Sequence, residues 1–383
     1  MLQIDFFDED LLHTLVPIHT LKPDAVCFVA DKRRITDRRL VFAKKTLRRW
    51  NPSVKVSCVD VDPDNLAEIK AALAGVLSKR PEGEEIYIDL TGGTELMVIA
   101  GYELCFQYNA TPVYMDSTRE NLLNALSGKA LMPVDHISVS DYITAIGAKA
   151  LPNSHMRPKE KDVPAVCRVA EYIFKNPTQW KRLNEYISQH GPKRGDLFLP
   201  KGAPQELGFS PLLNVLVREG LLIEKGNGRY GYRNQTIHSY LITYGVWLEL
   251  YIYIKAREFF DESSLGLIVD WDGTDSIDRT DNEFDVIAMH RSAPLFISCK
   301  MCAPRVDDVY EVASLASRMG GASARACIAT TKPLHLSAHL PNSTYNRLDK
   351  MHVGLIEIQE FQERPAAEIF RNVLAVTEET GLP

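Results

Sequence analysis

The sequence of 383 residues has no run of about 18 uncharged apolar residues, so it offers no candidate membrane-spanning helix. The opening MLQIDFFDEDLL lacks the basic start, apolar stretch and small-residue cleavage site of a secretory signal, and the expectation is a soluble, cytoplasmic protein with no membrane partner. Internal repeats and low-complexity tracts are absent. Seven cysteines, an odd number scattered along a long chain, do not make a disulfide framework and read as reduced thiols. Cys299 and Cys302 have C-x-x-C spacing, but without a second pair or a matching His-x-x-x-His they read as core thiols rather than a zinc site.

Charge is unevenly spread. Residues 1–150 carry 17 Lys+Arg and 21 Asp+Glu, residues 151–260 carry 16 and 10, and residues 261–383 carry 11 and 19. The basic middle suits either a polyanion-facing surface or an ordinary solvated one. The length calls for two or three domains, and three are expected, over 1–147, 160–235 and 236–383.

The first domain alternates short runs rich in Val, Ile and Tyr with amphipathic stretches. Asp24–Ala30, Val54–Val61, Glu85–Leu90 and Pro112–Asp116 read as strands buried on both faces. Residues Thr36–Trp50, with Thr36 as N-cap, and Pro63–Arg80, with Asp62 as N-cap and Pro63 at the first helical position, read as helices. The expectation is an α/β fold, a Rossmann-like parallel sheet with helices on both faces. Ala148–Pro164, with three prolines and no periodicity, reads as a linker. Helical stretches at Ala165–Lys175, Trp180–His190 and Ser210–Glu219 precede a hairpin turning at Gly226-Asn227-Gly228, the outline of a winged helix. Ser210–Glu219 would be its reading helix, with Lys193, Arg194 and Lys201 near phosphate; a structural hinge fits equally well. The last domain reads as one apolar helix, His238–Phe260, a three-stranded meander over Ser264–Trp271, Glu283–His290 and Pro294–Met301, a helix Val306–Gly321 and a strand Ala324–Thr330. His335 and His339, bracketed by Pro333 and Pro341, read as a surface turn.

Two motifs carry chemistry. Strand Glu85–Leu90 runs into Thr91-Gly92-Gly93-Thr94-Glu95-Leu96-Met97, which opens a helix. Glycines there allow a sharp turn and close backbone approach, free amides at the helix start suit phosphate oxygens, and Thr91 and Thr94 add hydroxyls. A packing turn with a capping threonine explains the same residues. Asp8 and the run Asp31-Lys32-Arg33 fall on loops at the same sheet edge. In the second motif, Glu249 sits in an almost wholly apolar helix, where a carboxylate is costly unless paired or holding a metal. Strand alternation puts Glu283 with Asp285, and Ser298 with Lys300, on shared faces of adjacent strands. Carboxylates hold Mg²⁺ or Mn²⁺, which polarises a phosphodiester, and a lysine positions water or stabilises developing charge.

Residues 1–145 resemble the CRISPR-associated Rossmann fold (CARF), most tightly at LTGGTEL, although that family has Lys where this chain has Glu95. The C-terminal set resembles the PD-(D/E)xK nucleases, with Asp285 the motif aspartate, Lys300 the motif lysine and Glu249 the helical glutamate; the usual acid two before the lysine is Ser298, and Glu283 is the substitute carboxylate. Together they resemble the CRISPR ancillary nucleases of the Card and Can type. That resemblance implies a homodimer with cyclic tetra-adenylate on its two-fold axis as activator, and a restriction-endonuclease-like domain cleaving single-stranded DNA or RNA or nicking duplex. It implies catalytic roles for Glu249, Glu283, Asp285, Ser298 and Lys300, metal binding by the three carboxylates, and ligand binding by Thr91, Gly92, Gly93, Thr94, Asp31, Lys32 and Asp8. Tyr310 and Glu311 become substrate-side candidates. The competing expectation is a ligand-controlled winged-helix DNA-binding regulator whose nuclease domain is degenerate; a third is a sensor that cleaves its own cyclic ligand through Thr91 and Thr94.

Overall fold

The computed structural model describes residues 1–383 except 9, 34–37, 118, 153–156, 192–194, 272–280, 291, 321–323, 334–341 and 379–383. The expectations placed on Thr36, Lys193, Arg194, His335 and His339 lie outside the described residues.

The N-terminal part runs β1 (Leu2–Phe6), α1 (Leu11–Leu21), β2 (Ala25–Asp31), α2 (Arg38–Trp50), β3 (Lys55–Val61), α3 (Leu66–Leu77), β4 (Ile86–Asp89), α4 (Glu95–Tyr108), β5 (Thr111–Asp116), β6 (Asn121–Asn124), β7 (Ala130–Pro133) and α5 (Val139–Ala145). Its sheet has the order β3-β2-β1-β4-β5-β6-β7, with the first five strands parallel and the last two antiparallel. Alternate residues of the central strands feed two cores. Ile4, Phe6, Cys27 and Val29 pack with α3 and α4, whereas Val26 and Phe28 pack with α1, α2 and α5. This is the expected Rossmann-like layering. Strand β3 departs from the double burial expected of Val54–Val61, because it is the sheet's edge and most of its side chains stay partly or fully exposed. The start of α3 also differs. Asn65, not Asp62, is the N-cap, accepting from the Glu68 N–H, while Asp62 takes Lys32 and the Asp64 N–H instead.

The stretch expected to be a linker contains β8 (Lys149–Pro152), which pairs antiparallel with a strand of the C-terminal sheet. Backbone groups that find a ladder partner outweigh a local sequence without periodicity. The winged-helix outline follows: α6 (Val163–Lys175), α7 (Pro177–His190), β9 (Leu197–Phe198), α8 (Ala203–Glu206), α9 (Ser210–Arg218), β10 (Leu222–Gly226) and β11 (Arg229–Tyr232), with sheet order β10-β11-β9.

The apolar stretch His238–Phe260 is two helices, α10 (Gln235–Ile242) and α11 (Val246–Ala256). The break is held by tertiary bonds: Trp180 Nε1 donates to the Tyr244 carbonyl at 3.0 Å and Asn184 Nδ2 to the Leu241 carbonyl at 3.0 Å. Next come β12 (Glu262–Asp270), β13 (Asp281–His290), β14 (Ala293–Lys300), α12 (Val306–Gly320), β15 (Arg325–Thr330), α13 (Asn342–Lys350), β16 (Val353–Glu357), α14 (Glu360–Glu363) and α15 (Ala366–Glu378). The sheet order is β16-β15-β14-β13-β12-β8, an antiparallel meander extended by parallel β15 and β16. One face of this sheet shares a core with the winged helix, α11 and α15. The other shares a core with the N-terminal helices α1, α2 and α5 and with α12. The described helices include none long and apolar enough to cross a membrane.

Candidate functional sites

The turn after β4 is fixed by backbone need. Gly93 has φ +86°, and a Cβ there would lie 2.5 Å from Phe6 Cβ, so glycine is required by both conformation and space. A Cβ on Gly92 would come within 3.0 Å of the Phe6 carbonyl and of Asp8 Cβ. Thr94 caps α4 through its hydroxyl, which accepts from the Met97 N–H. Asp8 secures the turn from the side: its Oδ2 accepts from Gly93 N at 3.0 Å and its Oδ1 from Asp10 N at 2.8 Å. A cavity of about 280 Å³ opens here at the carboxyl ends of β1, β2 and β4, walled by Asp8, Asp31, Arg33, Gly93 and Thr94 among others. Thr91, Gly92 and Lys32 are not in its wall. The Thr91 hydroxyl accepts from Met115 N at 2.8 Å, and Lys32 is paired with Asp62 at 2.9 Å.

Beneath this turn lie two carboxylates that the sequence reading passed over. Asp5 and Asp89 are register partners on β1 and β4, each about 1% exposed. Burial holds both well above the usual carboxylate range, Asp89 at about 7, and the Asp89 charge raises Asp5 further. Asp89 Oδ1 accepts from the Thr91 N–H, so the pair supports the turn from below.

In the C-terminal sheet, Leu265 and Val286 belong to the core on the winged-helix side, and Leu267 and Phe284 to the opposite one. Both strands thus reset their alternation within two residues, β12 at Gly266 with φ +57°. The β13–β14 ladder ends at Val286↔Ile297, and beyond it the Asp285 carboxylate takes over as acceptor, with Oδ2 2.7 Å from Cys299 N. Glu283, Asp285, Ser298 and Lys300 wall one cavity of about 90 Å³, together with Glu311 of α12, past the end of the β13–β14 ladder and not as register partners.

Glu249 lies in the first turn of α11. Burial, then the charges of Asp285 and Glu283, push its carboxyl up to about 8. Burial likewise raises Asp285, against the pull of the Cys299 N–H and Lys300. The Lys300 ammonium is held from the other side, by Asp308 Oδ1 at 3.3 Å and Glu311 Oε2 at 3.9 Å. Asp308 was missed in the sequence; its one signal was an acid in the first turn of the helix following the lysine strand. Among the described residues no group of three His, Cys, Asp or Glu side chains meets in a metal-holding arrangement. The chemistry of the donors nevertheless fits a hard cation, since Glu249 and Asp285 are carboxylates that both resist ionising without added positive charge.

The sequence matches two family descriptions: the Card1 CARF domain over residues 14–142 and the Card1-like endonuclease domain over residues 238–340. The chain therefore contains a Card1-type CARF domain and a Card1-like endonuclease domain. Comparison with curated protein sequences gives no match. Among solved structures, protein VC1899 from Vibrio cholerae is similar over 98% of both chains at 19% identity and a TM-score of 0.81. Can2 from Sulfobacillus thermosulfidooxidans, solved with cyclic tetra-adenylate, is similar over 98% of this chain and 99% of its own at 17% identity and a TM-score of 0.68. A structure described as a type III CRISPR defence DNA nuclease activated by cyclic oligoadenylate aligns with 86% of this chain and 45% of its own, at 18% identity and a TM-score of 0.56. These structures share the fold. The Card1-type endonuclease match begins at His238 and takes in Glu249, Glu283, Asp285, Ser298 and Lys300, while the CARF match takes in the whole TGGT turn.

Proposed function

We propose that the protein is a homodimeric, metal-dependent endonuclease of type III CRISPR defence, switched on by cyclic tetra-adenylate and cleaving DNA or RNA phosphodiesters. The observation that carries this reading is the cavity walled by Glu283, Asp285, Ser298 and Lys300, beside which the Glu249 carboxyl is raised by burial and by the charges of Asp285 and Glu283. Asp285 and Glu283, with Glu249 behind them, would hold a divalent cation such as Mn²⁺ or Mg²⁺, whose charge would polarise the phosphodiester and acidify a water. Asp285, anchored by the Cys299 amide, is the preorganised ligand. Lys300 offers its ammonium to the charge that develops on phosphate, and Ser298 on the same wall adds a hydroxyl.

The activator reading rests on the cavity beside Gly93 and Thr94, where the start of α4 favours anions, and on the cyclic tetra-adenylate bound to Can2. Asp8 shapes the turn, while Arg33, ion-paired with Asp31, brings a guanidinium to the cavity wall. Support for a homodimer comes from α4, which begins at this turn and exposes Ile99, Tyr102 and Phe106 on one stripe. Tyr114 of β5 and Leu126 add exposed apolar surface. An apolar surface of this kind suits a second copy, and a two-fold axis along α4 would set two TGGT turns beside one ring.

The test is cleavage of labelled single-stranded DNA and RNA and nicking of duplex, with and without cyclic tetra-adenylate and Mn²⁺, by the native chain and by Asp285→Ala plus Lys300→Ala. Cutting that needs ligand, metal and both residues is expected. Cutting by the double variant at the native rate would refute the assignment of the site.

A further inference from the structure

Helix α12 touches both the catalytic lysine and the sensor. At its start, Asp308 is nearly buried, and its two oxygens are committed: Oδ2 accepts from Arg305 N at 2.7 Å, and Oδ1 faces the Lys300 ammonium at 3.3 Å. Glu311, one turn on, adds a second, more exposed partner for the same ammonium. Toward the far end of this 15-residue helix, roughly 17 Å from Asp308 at 1.5 Å per residue, the Met319 carbonyl accepts a hydrogen bond from the buried hydroxyl of Tyr142, a residue of α5 in the sensor. Arg318 beside it lies over the Trp271 ring, 4.2 Å from its centroid. Arg318 and Met319 form part of the wall of a cavity of about 580 Å³ between the two domains, and the facing wall includes Asp8, Asp10 and His13. Asp8 is the residue that holds Gly93, and Asp10, which Asp8 also holds, is the N-cap of α1.

We infer that α12 is the strut that sets the position of Lys300: Asp308 is the positioning residue that places the ammonium, and Tyr142 ties the opposite end of the helix to the sensor. This rests on the nuclease reading above. Asp308 touches no reacting atom in this account; it acts through Lys300. A rigid helix passes a displacement at one end to the other with little loss, so a shift of the Asp8 turn that moves α1 and α5 reaches the lysine through Tyr142 and α12. Such a device couples two sites because both bias one element.

The experiment uses the full-length protein with a labelled substrate, cyclic tetra-adenylate and Mn²⁺. Asp308→Asn keeps shape and removes charge; the expected result is a fall in kcat of about tenfold or more with KM held, and partial recovery in Asp308→Glu. Tyr142→Phe removes one hydroxyl; the expected result is native affinity for the activator with a several-fold smaller increase in cleavage on adding it. Native kcat in Asp308→Asn, or a full activation ratio in Tyr142→Phe, would overturn the inference. If Asp308→Asn fails to fold, Glu311→Gln and Tyr142→Phe carry the test. Absence of metal-dependent cutting by the native chain would instead sink the nuclease reading itself, and the two failures are distinct.

Discussion

The proposed dimer rests on α4, and Phe106 is the most exposed large apolar side chain of that helix, 64% accessible, followed by Ile99 at 51%. Its described ring contact is an edge-to-face one with Tyr102 on the same helix, at 5.4 Å between centroids. An aromatic side chain carries on the order of 200 Å² of surface, so roughly 130 Å² of this one is open to cover by a partner. At about 25 cal/mol per Å² that is about 3 kcal/mol per ring, and a two-fold interface contains two rings. If only half of this surface is covered, the dimer still gains about 3 kcal/mol from the pair, worth roughly a hundredfold in dissociation constant. Phe106→Asp removes that gain and places two carboxylates in the same space. Sedimentation or light scattering across nanomolar to micromolar concentrations is expected to show the native chain as a dimer and the variant dissociating at least a hundredfold more readily. The thermal midpoint should fall only by the stabilisation that dimerisation adds at the working concentration, since an exposed substitution by itself shifts the stability of a single chain by less than about 0.5 kcal/mol. Activator-dependent cleavage should fall in step with dimer loss. The reasoning is refuted if the variant stays dimeric at the native affinity, or if the native chain is monomeric with and without the activator.

Glu249→Gln tests the carboxylate cluster without any substrate. Because the folded carboxyl titrates at about 8, above its ordinary value, the folded chain holds an extra proton between about pH 4.5 and 8, and stability is lost as pH rises through that window. The amide removes a cost on the order of 4 kcal/mol at pH 8, so metal-free melts should show the variant more stable than the native chain at pH 8 and equal to it near pH 4.5; equal midpoints at both pH values would contradict the burial. Gly93→Ala forces a Cβ to 2.5 Å from Phe6 Cβ at φ +86°, and calorimetric titration with cyclic tetra-adenylate should show affinity down by about tenfold or more. Native affinity in that variant would remove the turn from the ligand site.

What the sequence disclosed is what local rules control. The TGGT turn is visible because positive φ and close approach demand glycine, and Glu283, Asp285 and Lys300 because they stand at adjacent ends of two consecutive strands of one meander. What stayed hidden depends on partners far along the chain. The stretch His238–Phe260 is apolar throughout and reads as one helix, yet Trp180 and Asn184 draw off the carbonyls at its break. Strand β8 is four residues long and ends in proline, so no periodicity announces it; its partner lies more than 100 residues away in β12. Asp308 looked like an ordinary first-turn acid until folding set it against Lys300. The buried pair Asp5 and Asp89 belongs to two apolar strands whose register sequence alone does not supply.

The position of β8 also changes how the three parts relate. A winged helix lying between sensor and nuclease in sequence invites the view that it transmits the signal. In the fold, the chain leaves the last sensor helix α5 and enters the nuclease sheet at once through β8, before the winged helix begins. The winged helix is an excursion that packs on one face of that sheet, while the sensor helices pack on the other. Its third long helix, α9, leaves only Pro211, Asn214 and Arg218 of its own fully exposed, and Arg218 pairs with Glu219. That is a poor surface for reading base edges, which takes several free polar side chains on one helix. Under the proposed activation, the turn at Gly93 therefore has a direct route, through α1, α5 and β8 into the edge of the C-terminal sheet and through α12 to Lys300, that does not pass through the winged helix.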